Sequence, residues 1–191
     1  MRRLIWLAST PWNVVALIAL VGFVLVRLVQ ERPVSTPIDP AILEFEQGPR
    51  KAEVPLRLYF AGTDGKSFAV ETRGVPVSGN SLAERASAAA NAWIAGPTSQ
   101  GALPLVVVPN LPEPTIFAKA GTVYVDLPKV WTTNQLGTAG EFLMVCGLAN
   151  TLLELDGAKA VQYLLDGKTT ETIGGHVETL EPFTTRSCRG A

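Results

Sequence analysis

Histidine occurs once in this 191-residue chain, at His176, and cysteine twice, at Cys146 and Cys188. A Ser-His-Asp or Cys-His arrangement would have to use that one imidazole. Asp166 and Glu178 lie near it in sequence, and Cys146 and Ser187 are the conceivable nucleophiles, but no spacing joins them into a motif. One histidine and two distant cysteines do not make a typical zinc site, so neither a metal nor a cofactor is expected. A basic excess is missing too. There are 16 Lys and Arg against 17 Asp and Glu, and without Arg2 and Arg3 the balance is 14 to 17. That field is weak and of the wrong sign for nucleic acid. A phosphate loop is also absent. Gly62-Thr63-Asp64-Gly65-Lys66-Ser67 resembles one superficially, but the glycine required five positions before Gly65 is replaced by Phe60. These residues read as a hairpin turn.

Charge is lacking most of all between Leu4 and Val26, a run of 23 residues flanked by Arg2, Arg3 and Arg27. About 20 apolar residues suffice for a helix to cross a bilayer. From Val14 onward the run is apolar all round, unlike an amphipathic core helix. No small-residue cleavage site follows it, and no cysteine stands near its end to accept a lipid. The run therefore reads as an uncleaved signal anchor. By the positive-inside rule Arg2 and Arg3 stay in the cytoplasm and the C-terminal domain lies outside. Trp6 and Trp12 fit the cytoplasmic interface.

Four segments follow from composition: 1–30, a short cytoplasmic end and the anchor; 31–53, a linker with Pro33, Pro37, Pro40 and Pro49; 54–183, one folded domain; and 184–191, a tail. In the domain, Leu56, Leu58 and Phe60 alternate with Arg57 and Tyr59, as in a half-buried strand. Phe68 to Arg73 makes the returning strand. Ser81-Leu82-Ala83-Glu84 is a capping box opening a helix to about Ala95, with Leu82, Ala86, Ala89, Ala90 and Trp93 on one face. Strands are expected at 115–119 and 122–127. Thr138-Ala139-Gly140-Glu141 reads as a second capping box for a helix to about Leu155, whose buried stripe is Phe142, Val145, Cys146, Ala149, Leu152 and Leu153. Strands at 160–165 and 169–173 complete the order ββ-α-ββ-α-ββ. The expected fold is α+β, with two helices packed on one face of an antiparallel or mixed sheet, preceded by one transmembrane helix.

Several short motifs occur in a set order: Ala95-Gly96-Pro97-Thr98, then Val123-Tyr124-Val125-Asp126-Leu127, then Val161-Gln162-Tyr163-Leu164-Leu165-Asp166-Gly167-Lys168, then Glu171-Thr172-Ile173-Gly174-Gly175-His176 and Glu181-Pro182. In these the chain resembles a GerMN domain, over roughly Val54 to Phe183. The resemblance implies a small α+β domain outside the cytoplasmic membrane, similar to the ring-building motifs of secretion and sporulation machines. It also implies an interaction module rather than an enzyme. Members of that family are usually lipoproteins or fused to other modules; here a spanning helix stands in for the lipid.

Two residues are candidates for interaction. His176 follows two glycines that permit a tight turn, and it either caps and packs the next segment or touches a ligand. Trp131 lies in a loop between strand and helix, where it either fills the core or serves as an exposed contact anchor. The apolar run Leu105 to Val108 reads as strand or buried loop, and as a partner patch if exposed. Cys146, on the apolar stripe of a helix, reads as a buried small hydrophobe; an external location also permits its pairing with Cys188. The leading functional expectation is a membrane-anchored scaffold or assembly factor of the cell envelope, with no catalysis of its own. Its partners would be envelope proteins or further copies of itself. The alternatives are an accessory factor binding the cell wall (peptidoglycan) and, last, an enzyme.

Overall fold

The computed structural model describes residues 52–188, together with positions 15 and 19–21. The chain divides into two units, Met1–Arg50 and Lys51–Ala191, and the second is an α+β domain. Among the described residues no helix is long and apolar enough to cross a membrane. The anchor expected at 4–26 and most of the linker lie outside the described residues.

The domain opens with a hairpin of β1 (Ala52–Gly62) and β2 (Phe68–Val77), in a register that places Leu58 beside Glu71 and Leu56 beside Arg73. Between them, the Asp64 carboxylate accepts from the amides of Lys66 and Ser67 at 2.9 and 3.0 Å, which fixes the turn and excludes a phosphate-binding role for it. Helix α1 (Leu82–Ile94) begins at the expected capping box, with both reciprocal bonds between Ser81 and Glu84 present. It buries Ala86, Ala89, Ala90 and Trp93. The last turn of α1 contains no basic residue, and β2 supplies the missing cation. Arg73 donates to the carbonyls of Ala92 and Gly96 at 3.2 and 2.9 Å, where a positive charge suits the helix end. Glu71 accepts from the Thr98 hydroxyl, pairs with Arg73 at 2.6 Å and accepts from the amides of Thr98 and Ser99. Burial alone would raise the Glu71 carboxyl, but these hydrogen bonds outweigh it and hold it at about 2.

A single sheet was the expectation; the domain has two. In the first, the order is β2-β1-β3, where β3 (Ala102–Leu103) meets only Ala61 and Gly62 of β1. The second contains β4 (Thr115–Lys119), β5 (Thr122–Leu127) and β6 (Ala160–Leu165), in that order. The reason lies at the free edge of β1, which is occupied by helix α2 (Gly137–Leu153) rather than by another strand. The Tyr59 amide donates to the Thr151 hydroxyl at 3.0 Å, and the Tyr59 carbonyl accepts from the Trp93 indole at 2.7 Å. Side chains thus satisfy backbone groups that would otherwise be orphaned. The approach is so close that a Cβ on Gly147 would lie 2.6 Å from the Tyr59 carbonyl oxygen. On the solvent side of this seam, Tyr59 donates to Glu154 at 2.6 Å, and burial together with that carboxylate pushes its phenol up to about 12.

β4 and β5 are antiparallel, whereas β5 and β6 run parallel, with α2 as the crossover between them. The sheet is therefore mixed. Two aspartates lock the parallel pair at one end. Asp126 accepts from the Gly167 amide at 2.7 Å, and Asp166 accepts from the Lys129 amide at 3.0 Å. These are the aspartates of the Val-Asp-Leu and Leu-Asp-Gly motifs, so the motifs are explained by strand closure rather than by chemistry. β6 is buried on both faces from Val161 to Leu164.

Residues 166–188 cover its outer face as a strap without helix or strand of its own. The strand expected at 169–173 does not form; after an isolated bridge between Leu165 and Lys168, the backbone closes on itself through the Thr179 amide and the Glu171 carbonyl. The strap is fixed by Gln162, which donates to the Thr179 carbonyl at 3.0 Å, and by a bridge between Phe183 and Val161. Its end is held by a disulfide between Cys146 and Cys188. Cys146 is thus buried, as its helical position indicates, and bonded rather than free. The bond joins residues separated by 42 positions, and closing a loop of that length stabilises the fold by about 4 kcal/mol in the chain-entropy account.

Candidate interaction groove

Helix α2 does not begin with the expected capping box. Its N-cap is Leu136, with no side-chain cap, and Thr138 is exposed. Glu141 is turned inward instead, and its side chain is only 3% exposed. It accepts from the Gly174 amide at 2.7 Å and from the His176 amide at 2.9 Å, and its Oε2 lies 2.9 Å from His176 Nδ1. A carboxylate only accepts, so Nδ1 is assigned as the donor and Nε2 is left for the groove or solvent. The two glycines have separate reasons. A Cβ on Gly174 would sit 2.9 Å from the Glu141 carboxylate, and Gly175 has φ +97°, which side chains disfavour. Glu141 thereby pins the middle of the strap to the first turn of α2 and orients the His176 ring.

Beside that ring lies an open groove of about 630 Å³, lined by Lys66, Thr138, Phe142, His176, Val177 and Glu178 among others. Three elements meet there: the β1–β2 turn, the start of α2 and the strap. Phe142 gives a half-buried apolar floor, and the rim carries charges of both signs. Such a concave, mainly apolar surface with a few polar groups suits ligand or partner binding. Among the described residues, no cluster of His, Cys, Asp and Glu could hold a metal.

Of the two residues singled out in the sequence, the groove contains His176 and not Trp131. Trp131 lies in a 3-10 turn, Lys129–Thr133. It is 1% exposed, and its indole donates to the Pro112 carbonyl at 2.8 Å. It fills the core, so the exposed-anchor alternative does not hold. The Leu105 to Val108 run is a tethered loop rather than a strand. Buried Asn134 donates to the Leu105 carbonyl and accepts from the Val107 amide at 2.9 and 3.0 Å, standing in for a partner strand. Sequence reasoning missed Lys66 and Glu178 as groove residues, and Glu141 as the buried carboxylate that holds the groove's strap wall. They are far apart in sequence, and the only local signal was a Thr-x-x-Glu pattern that pointed elsewhere. A second exposed feature is the outer face of the mixed sheet, where Phe117 and Tyr124 stack at 4.9 Å with their planes 7° apart.

The fold agrees with that of one solved structure, and two others are similar at lower scores. The tandem GerMN domains of the sporulation protein GerM from Bacillus subtilis superpose with a TM-score of 0.52 at 21% identity, over 71% of this chain and 47% of that one. The first GerMN domain of the same protein gives 0.48 at 17% identity, over 70% and 98% of the two chains. A protein described as a lipoprotein, from Clostridium perfringens, gives 0.48 at 20% identity, over 70% and 89%. No curated protein matches the sequence. The family model described as "Germane: Sporulation and spore germination" matches residues 57–171, a span from β1 through α2 and β6 into the strap, and the chain belongs to that family.

Proposed function

We propose that this chain is a membrane-anchored interaction module of the cell envelope, with its domain on the extracytoplasmic side, and that it works by binding rather than by catalysis. The observation that carries the reading is the groove beside His176, whose walls come from three elements and whose shape is set by a buried carboxylate. Its extracytoplasmic location is supported by the disulfide, since such bonds persist in oxidising compartments, and by the uncharged run 4–26 behind Arg2 and Arg3. The partner is an envelope protein or another copy of the chain. A tandem pair of such domains occurs in the Bacillus subtilis sporulation protein named above; here one domain on a spanning helix would serve as a single docking point held outside the membrane.

The test is photo-cross-linking in intact membranes, with the reactive side chain placed at Val177 and, as control, at exposed Lys119 on the other sheet. Adducts to one protein species from Val177 and not from Lys119 support the reading. Equal labelling from both, or none from either, would refute it. A second reading, an accessory factor on the cell wall, is favoured only by exposed Phe117 stacked on half-buried Tyr124. It requires that the protein sediment with isolated wall material and that Phe117→Ala abolish this.

A further inference from the structure

The strap that builds one wall of the groove is attached chiefly by side chains, and its last attachment is covalent. Residues 166–188 form no strand or helix. Their middle is held by Glu141 through Gly174 and His176, and their outer part by the bridge to Val161. Phe183 is buried against Tyr163, with ring centroids 5.6 Å apart, and Tyr163 is tied to α2 through its hydroxyl and the Val145 carbonyl at 2.7 Å. One residue further along α2 is Cys146, bonded to Cys188. Both cysteines are buried, at 0% and 7% exposure. Glu141 and Cys146 thus grip the strap from the same helix, one at the groove and one at its end.

From this arrangement we infer that the Cys146–Cys188 bond is a redox latch for the groove, an inference that rests on the groove being the binding site. With both thiols reduced, the strap is released from α2 at its end, the wall formed by His176, Val177 and Glu178 loosens, and the partner surface is lost. Closing the latch transfers two electrons from the two thiols to an external protein disulfide, which leaves as a dithiol; the two thiol protons pass to it in the exchange. An oxidising compartment supplies such disulfides and a reducing cytoplasm does not. The domain would then acquire its binding surface only after export, and the same surface before export would be silent.

The test uses the full chain in detergent, oxidised, reduced with dithiothreitol, and as Cys188→Ser, with amide hydrogen exchange read on Gly174 to Glu178 and on β1. The expected result is exchange at least about tenfold faster in the strap after reduction or in Cys188→Ser, with β1 unchanged. Unchanged strap exchange in either form would overturn the latch, and so would a uniform rise that includes β1 in both forms, because that is global unfolding. Cross-linking from Val177 separates the two ideas. If it persists in Cys188→Ser but is lost in Phe142→Asp, the latch is wrong and the groove stands. If neither change affects it, the groove reading itself is wrong.

Discussion

Ser81 to Glu84 and Thr138 to Glu141 are the same four-residue pattern, each at the start of a helix, yet they do different work. In α1 the serine and glutamate bond each other, and the helix end is complete from local residues alone. In α2 the glutamate leaves its own helix terminus and takes three hydrogen bonds from a segment 33 to 35 residues away. A cap contributes about 1 kcal/mol. A buried carboxylate that collects several donors has more at stake, since losing it leaves those part-buried donors without their acceptor. Where a tertiary demand of that size exists, the local pattern yields to it.

The contrast can be broken first at α2. Glu141→Ala should cost about 2 kcal/mol, as two part-buried amides and a half-exposed imidazole lose their acceptor. Denaturant unfolding at neutral pH measures this, and a loss below about 1 kcal/mol would mean the strap is held otherwise. Gly147→Ala attacks the same helix where it meets β1. With the Tyr59 carbonyl 2.6 Å from the new Cβ, a cost of about 2–3 kcal/mol is expected from forced separation of helix and strand, again read by denaturant unfolding. α1 has its own distant support, at its other end. Glu71 is displaced downward from its ordinary 4.5 to about 2, so its contribution is complete above pH 4.5 and disappears as pH falls toward 2. The whole displacement corresponds to about 3 kcal/mol; screening at the domain surface reduces it to about 1–2 kcal/mol. Thermal unfolding between pH 5 and pH 2 should therefore show a steeper decline for the natural protein than for Glu71→Gln. Parallel curves would remove Glu71 from the acid response. The smallest effect belongs to the local cap: Ser81→Ala should cost about 1 kcal/mol and leave groove cross-linking unchanged.

The same division explains what was legible beforehand. The β1–β2 hairpin, α1 with its buried face, and the β4–β5 pair are built from neighbours in sequence, and alternation, turn residues and a capping box are enough to read them. The parallel pairing of β5 with β6, and with it the second sheet, and the attachment of the strap to α2 depend on contacts across 30 residues or more, and a period of two does not distinguish parallel from antiparallel partners. Glu71 and Arg73 lie on the inner face of β2, a place that polarity alone would assign to solvent; they are there because α1 ends above them. Trp131 sits in a loop-like sequence yet is core, because Pro112 offers its carbonyl. The groove was legible only at His176. Its partner Glu141 was visible in the sequence under the wrong role.

The double-mutant cycle between Glu141 and its two candidate partners is the most direct measurement. Glu141→Ala is combined with His176→Ala in one cycle and with Thr138→Ala in the other, and unfolding free energies give the couplings. Pinning of the strap by Glu141 requires a coupling of about 1–2 kcal/mol with His176 and none beyond about 0.3 kcal/mol with Thr138. The reverse, coupling with Thr138 and none with His176, would make Glu141 a helix cap after all and leave the groove without the residue that shapes it.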